Sequence, residues 1–152
     1  MTQRLWNVYL SGEIHSSWRD EIADYVKEHD VPVRLMTPEL DHATSDDCGE
    51  VILGKEADSF WRDHKAAKIN AIRTRGVMGN CDVVVVRFGD KYRQWNAAFD
   101  AGCAFAAGKS LITLHDESLD HALKEVDGAA MAVARTSEEV GKLLEYVTRR
   151  SF

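Results

Sequence analysis

The run DVVVVRF, Asp82 to Phe88, constrains this chain more than any other segment. A strand with one face in water alternates polar and apolar residues, so an unbroken run of β-branched valines marks a central parallel strand buried on both faces. The rest of the chain must then supply further parallel strands and the helices that cross between them. LWNVYL (Leu5 to Leu10) stops at Ser11-Gly12 and reads as a first strand, and PVRLM (Pro32 to Met36) as a second. SLITLH (Ser110 to His115) makes a fourth and AAMAVA (Ala129 to Ala134) a fifth.

Helical signals fall between them. Ser17 with Asp20 resembles a capping box, followed by Trp18, Ile22, Tyr25 and Val26 at helical spacing. A second helix is expected from about Asp58 to Thr74, with Phe60 or Trp61, Ala67 or Lys68, Ile69 and Ile72 on its inner face. QWNAAFDAGCAFAAGK then forms a helix starting near Trp95 or Asn96 and closed by Gly108. Ser118 to Val126 reads as a short helix, and Thr136 with Glu139 caps a last one whose Val140, Leu143, Leu144 and Val147 form an apolar face. Thr37 to Ala57, with Asp41, Asp46, Asp47 and Gly49, is polar and long for a connection, the length of a functional lid or binding loop.

Strands alternating with helices imply a three-layer α/β sandwich with a five-stranded parallel sheet of order 2-1-3-4-5, a flavodoxin-like fold. Such sheets bind ligands beyond the carboxyl ends of their strands at the switch point, here between strands 1 and 3. The loops to watch are SGEIHSS and GDKYRQWN. At 152 residues the whole chain, 1–152, is expected to be one domain.

A net charge of -6 argues against a nucleic-acid polymer as partner, because phosphate backbones require clustered Lys and Arg. Cys48, Cys81 and Cys103 lack the close spacing of zinc or redox motifs, which fits a reduced, cytoplasmic protein. No leader and no segment approaching the ~20 apolar residues of a membrane span is seen, so no membrane association is expected. The six histidines include no pair at helical metal-ligand spacing, and neither a metal nor a cofactor is expected.

GCAFAAGKS imitates a phosphate-binding loop, but its spacer is one residue too long and it runs from helix to strand, the wrong order for phosphate cradling. In SGEIHSS, Ser11, Gly12, Ser16 and Ser17 precede a helix, where hydroxyls and backbone N–H groups serve either a ligand or ordinary capping. Asp100 is the one charge between Asn96 and Gly108, among Ala97, Ala101, Cys103 and Ala104. Burying a carboxylate there requires partners or a use, and the nearby helix N-terminus is expected to favour the ionised form that a nucleophile needs. The alternative is an acid that merely satisfies the helix dipole. Tyr92 and Trp95 offer flat surfaces for a base, and Arg93 a charge for a phosphate.

These residues resemble the nucleoside 2-deoxyribosyltransferase family, and FGDKYRQWNAAFDAG resembles its small YtoQ-type branch. In the family a strand opened by Asp leads to a helix of the form apolar-Glu-x-Gly-x-Ala-x-x-x-Gly-Lys. Here Asp82 opens the strand and Phe99 to Lys109 falls on that helix, while VYLSGE (Val8 to Glu13) matches the first strand and its loop. The resemblance implies that Asp100 attacks the anomeric carbon of a nucleoside or nucleotide, that a glycosyl-enzyme ester forms, and that a base or water then resolves it. It implies further that Tyr9 orients Asp100, that Gln94 contacts sugar or base, and that Asn70 handles the leaving base. Ser11, Gly12, Asp82, Tyr92, Trp95 and Asn96 complete the expected ligand contacts, and the family habit of completing each site with a neighbouring subunit implies a homo-oligomer.

The chain departs from the pattern in two ways. Its nucleophile is Asp rather than Glu, shorter by roughly 1.5 Å. Two family carboxylates are the amides Gln94 and Asn70, which cannot donate a proton as general acids. That proton must come from His15, from an acid of Thr37 to Ala57, or from water. A module that keeps the pocket without the chemistry, a nucleotide sensor, is the rival expectation.

Overall fold

The computed structural model describes residues 3–149. It divides into two compact units, one formed by the chain up to Met36 and from Cys81 onward, the other by Thr37–Asn80.

The first unit holds the sheet. Strands β1 (Trp6–Gly12), β2 (Val33–Met36), β3 (Val83–Arg87), β4 (Ser110–Leu114) and β5 (Ala132–Ala134) are all parallel in the order β2-β1-β3-β4-β5. This is the expected flavodoxin-like order. The first strand runs two residues past its expected end, because Ser11 pairs with Val86 and Gly12 with Arg87. Gly12 has φ +105°, and a Cβ there would lie 2.2 Å from the Arg87 carbonyl oxygen, so only glycine lets the two strand ends come this close.

Alternation along the strands gives the sheet two different faces. Val8, Leu10, Val83, Val85, Ile112 and Leu114 form the main core with Trp18 and Ile22 of α1 (Trp18–Glu28) and Val140 and Leu144 of α6 (Ser137–Thr148). Tyr9, Ser11, Val84, Val86, Leu111 and Thr113 alternate with these and are buried on the other side. There α4 (Trp95–Ala106) packs on β1, β3 and β4, and its buried Ala97, Ala101 and Ala104 share one stripe. Small side chains on that stripe let the helix lie low on the sheet. It ends where Gly108 takes φ +71° and the Lys109 and Gly108 N–H groups reach back to the Ala104 and Phe105 carbonyls, a Schellman stop rather than a phosphate loop.

Local details differ from expectation. Ser17 precedes α1 but its hydroxyl donates to Glu21 at 2.7 Å instead of capping the backbone, a carboxylate being the stronger partner. Thr136 does cap α6, accepting from the Glu139 N–H at 3.1 Å. The helix expected over Ser118 to Val126 is instead a 3₁₀ turn at Glu117–Leu119 followed by α5 (Lys124–Ala129).

The second unit is a helical pair, not a loop and a helix. Within the stretch expected to be a lid lies α2 (His42–Leu53), capped by Asp41, whose carboxylate accepts from the Thr44 N–H at 2.6 Å. Its partner α3 (Ser59–Asn80) is longer than expected and turned the other way. Ala66 and Met78 are its buried residues, whereas Phe60, Trp61 and Ile72 are more than half exposed. The reason is the crossing point: a Cβ on Gly49 would meet that of Lys65 at 2.6 Å, so the helices approach through small residues and leave the large ones outside.

Candidate active site

Asp100 lies in the second turn of α4, half-buried, with Oδ2 accepting from the Ser11 hydroxyl at 2.6 Å. Ser11 is fully buried, and β1 presents it to α4 because it alternates with the core residue Leu10. Burial pushes the Asp100 carboxyl above its ordinary value, and the Ser11 bond only partly offsets this. That corrects the expectation that the helix N-terminus would set its protonation: desolvation dominates. Tyr9 is buried two residues earlier on the same strand face.

The loop after β1 is tied down from within. The Arg19 guanidinium donates to the carbonyls of Leu10 (3.1 Å), Glu13 (2.6 Å) and Gly12 (3.2 Å), and the Trp18 indole donates to the Glu13 carbonyl at 2.7 Å. Burial lowers the Arg19 pKa to about 10, which leaves it charged at neutral pH. The buried Glu13 carboxylate accepts from the His15 N–H, from the Ser16 hydroxyl at 2.5 Å and from Arg87 Nε at 3.3 Å. Burial alone would raise its pKa, but these three donors outweigh it and hold the group below the usual glutamate range.

The loop after β3 meets this one. Tyr92 has φ +63° and is exposed, with its ring centroid 5.1 Å from that of His15. Gln94 stands at the N-cap of α4, where its Nε2 donates to the Lys91 carbonyl at 2.9 Å and makes no cap. Trp95 and Asn96 open the helix and are exposed, as is Arg93. The structure thus gathers Ser11, Gly12, Tyr92, Gln94, Trp95, Asn96 and Asp100 around the carboxyl ends of β1 and β3.

One expected contact lies at the other end of the sheet. Asp82 precedes β3 at the amino end of the sheet, where its carboxylate accepts from the Asn7 N–H at 2.9 Å and pairs with Arg4. Val83 pairs with Val8 and Arg87 with Gly12, so four residues, about 13 Å of strand, separate Val83 from the ligand end. Asp82 thus sits at the opposite end of the sheet from Gly12. Asn70 belongs to the helical unit and donates to the Ser45 carbonyl at 3.0 Å.

Glu13, Arg19 and Arg87 are the functional-end residues that sequence reasoning missed. Their signal was present: a carboxylate just past a strand-ending glycine, with an arginine six residues on. Among the described residues, His115, Asp120 and Asp127 bring possible metal-ligand atoms within 4.8 Å of one another. His115 Nε2 lies 2.9 Å from Asp127, Thr113 donates to Asp127 at 2.8 Å, and Arg135 donates to Asp120 at 2.6 Å.

No helix among the described residues is long and apolar enough to cross a membrane. The fold resembles a conserved protein from Enterococcus faecalis V583 (TM-score 0.66, 16% identity, covering 95% of this chain and 99% of that one). It also resembles a 2-deoxyribosyltransferase from the psychrotolerant bacterium Bacillus psychrosaccharolyticus (TM-score 0.54, 12% identity, covering 89% of this chain and 90% of that one). At the level of sequence, the chain is 43% identical over 140 residues to the YtoQ protein of Bacillus subtilis (strain 168), covering 92% of this chain and 95% of that protein. Residues 9–148 match the family model described as nucleoside 2-deoxyribosyltransferase YtoQ, and the chain belongs to that family.

Proposed function

We propose that this protein cleaves or transfers the N-glycosidic bond of a nucleoside or nucleotide through Asp100. The observation that carries the reading is the Ser11–Asp100 pair: one carboxylate oxygen is fixed at 2.6 Å by a buried hydroxyl, which leaves Oδ1 for an anomeric carbon. Attack of Oδ1 forms the ester bond as the bond to the base breaks, and the departing base nitrogen takes a proton. Water or a second base then attacks the same carbon, the carboxylate leaves, and configuration is retained. We assign the leaving-base proton to His15, whose ring lies 5.1 Å from that of Tyr92 where the two loops meet.

Because burial raises the Asp100 pKa, the nucleophilic form builds up only above the ordinary aspartate range. The acid limb of the pH–rate profile is therefore expected to be displaced upward. We further read the protein as a homo-oligomer; the exposed Trp95, Phe99 and Phe105 along α4 support this, since no charge interrupts that stripe.

The second reading is a binding module that has lost the chemistry. It is favoured by the amides Gln94 and Asn70, which stand where the family has carboxylates and can hold a ligand but cannot donate a proton as general acids. Incubation with deoxynucleosides, ribonucleosides, nucleotides and free bases, with base release and exchange followed chromatographically, separates the two. Turnover abolished in Asp100→Ala is the expected result. Ligand binding that is indifferent to Asp100→Ala, with no turnover of any substrate, would sink the enzyme reading. Release without an acceptor base would select hydrolysis over transfer.

A further inference from the structure

Glu13 joins three elements through one residue. Its N–H donates to the Arg87 carbonyl at 3.0 Å, which extends the β1–β3 ladder by one step. Its carbonyl receives the Trp18 indole and the Arg19 guanidinium from the first turn of α1. Its carboxylate takes the His15 N–H, the Ser16 hydroxyl and Arg87 Nε. Gly89 leaves it the space: a Cβ there would lie 2.6 Å from Glu13 Cγ. With only 4% of its side chain exposed and three donors on its two oxygens, Glu13 is not placed to touch a ligand itself.

What it governs lies one shell further out. The bond to the His15 N–H fixes the backbone that carries the His15 ring, and the bond to Arg87 fixes the strand end from which the Tyr92 loop departs. Tyr92 meets His15 from a left-handed backbone conformation that bulky residues avoid, so the contact is held against a local preference. We propose that Glu13 is the positioning residue of the site: it locks His15 against Tyr92, so that the two rings form a preset aromatic corner for the planar part of a ligand. This inference rests on reading the loops after β1 and β3 as the N-glycoside site. Replacing the carboxylate by an amide would set an NH₂ group against donors and release the corner.

The test is a double-mutant cycle on the full chain, with 2′-deoxyadenosine and free adenine as probes and affinity read by calorimetry. Glu13→Gln is expected to weaken binding about tenfold in the otherwise native protein, but less than about twofold when His15→Ala and Tyr92→Ala have already removed the rings. An equal loss in both backgrounds, or none in the native one, overturns the proposal, because Glu13 would then act through the fold or not at all. Ser16→Ala, which removes a single donor, covers the case in which Glu13→Gln fails to fold, with an expected loss of about threefold that again depends on the rings. If neither probe binds the native protein, the inference is decided by NMR, independently of the functional reading. A ring contact between His15 and Tyr92 that persists in Glu13→Gln or Ser16→Ala overturns it, and one that disappears supports it.

Discussion

On β1 the side chains of Val8 and Leu10 enter the layer shared with α1 and α6, while Ser11, one residue on, turns toward α4 and meets a carboxylate. The core on the first face is aliphatic and aromatic throughout. The second face carries Ser11 and Asp100 under a helix whose buried residues are alanines, which bury little area each. One face therefore supplies most of the hydrophobic stabilisation, and the other gives some of it up to hold an acid beside a buried hydroxyl.

Three substitutions sharpen or break this contrast. The largest effect is expected on the aliphatic face, where Leu144→Ala removes a fully buried side chain of the main core. The loss should be about 3 kcal/mol, lowering Tm by roughly 10 °C, measured by thermal unfolding. The seam between the faces comes next. Gly12→Ala forces a Cβ onto the Arg87 carbonyl from a backbone conformation unsuited to alanine, at a cost of about 2 kcal/mol, and should disturb ligand binding as well.

The smallest change has the opposite sign. Asp100→Asn keeps an acceptor for Ser11 but removes a charge that burial disfavours, so the variant should be more stable at neutral pH by about 1 kcal/mol, or 2–4 °C in Tm, while losing turnover. Since the native pKa is raised, the folded state holds the proton more tightly than the unfolded chain does. The native protein's deficit is then absent below the ordinary aspartate pKa and grows as pH rises through the native one. A gain that does not shrink on acidification would show that Asp100 is better solvated than the structure implies.

The same contrast explains what the sequence revealed. Val83 to Val86 were readable because both faces of β3 are covered, so composition alone marks the strand. Asp100 was readable because it is the lone charge of an otherwise apolar helix. In the helical unit α3 was readable as a helix but α2 was not, since α2 carries Thr44, Ser45, Asp46 and Asp47 in sequence and shows little apolar periodicity. On α3 the large apolar residues mark the outer face, and the buried contact runs through Ala66 opposite Gly49, a pairing that no single-helix pattern reveals. Glu13 left only a local signal, a carboxylate after a strand-ending glycine, because SGEIHSS has the composition of an ordinary turn and the glutamate's bond to Arg87 spans 74 residues.

Arg19 gives the loop after β1 a property of its own. One buried guanidinium satisfies the carbonyls of Leu10, Gly12 and Glu13, which would otherwise need water or a moving partner. A segment with its carbonyls already engaged has little conformational freedom left to lose when a molecule arrives. On the proposed function, the end of β1 and Glu13 would need little ordering before or after a ligand arrives.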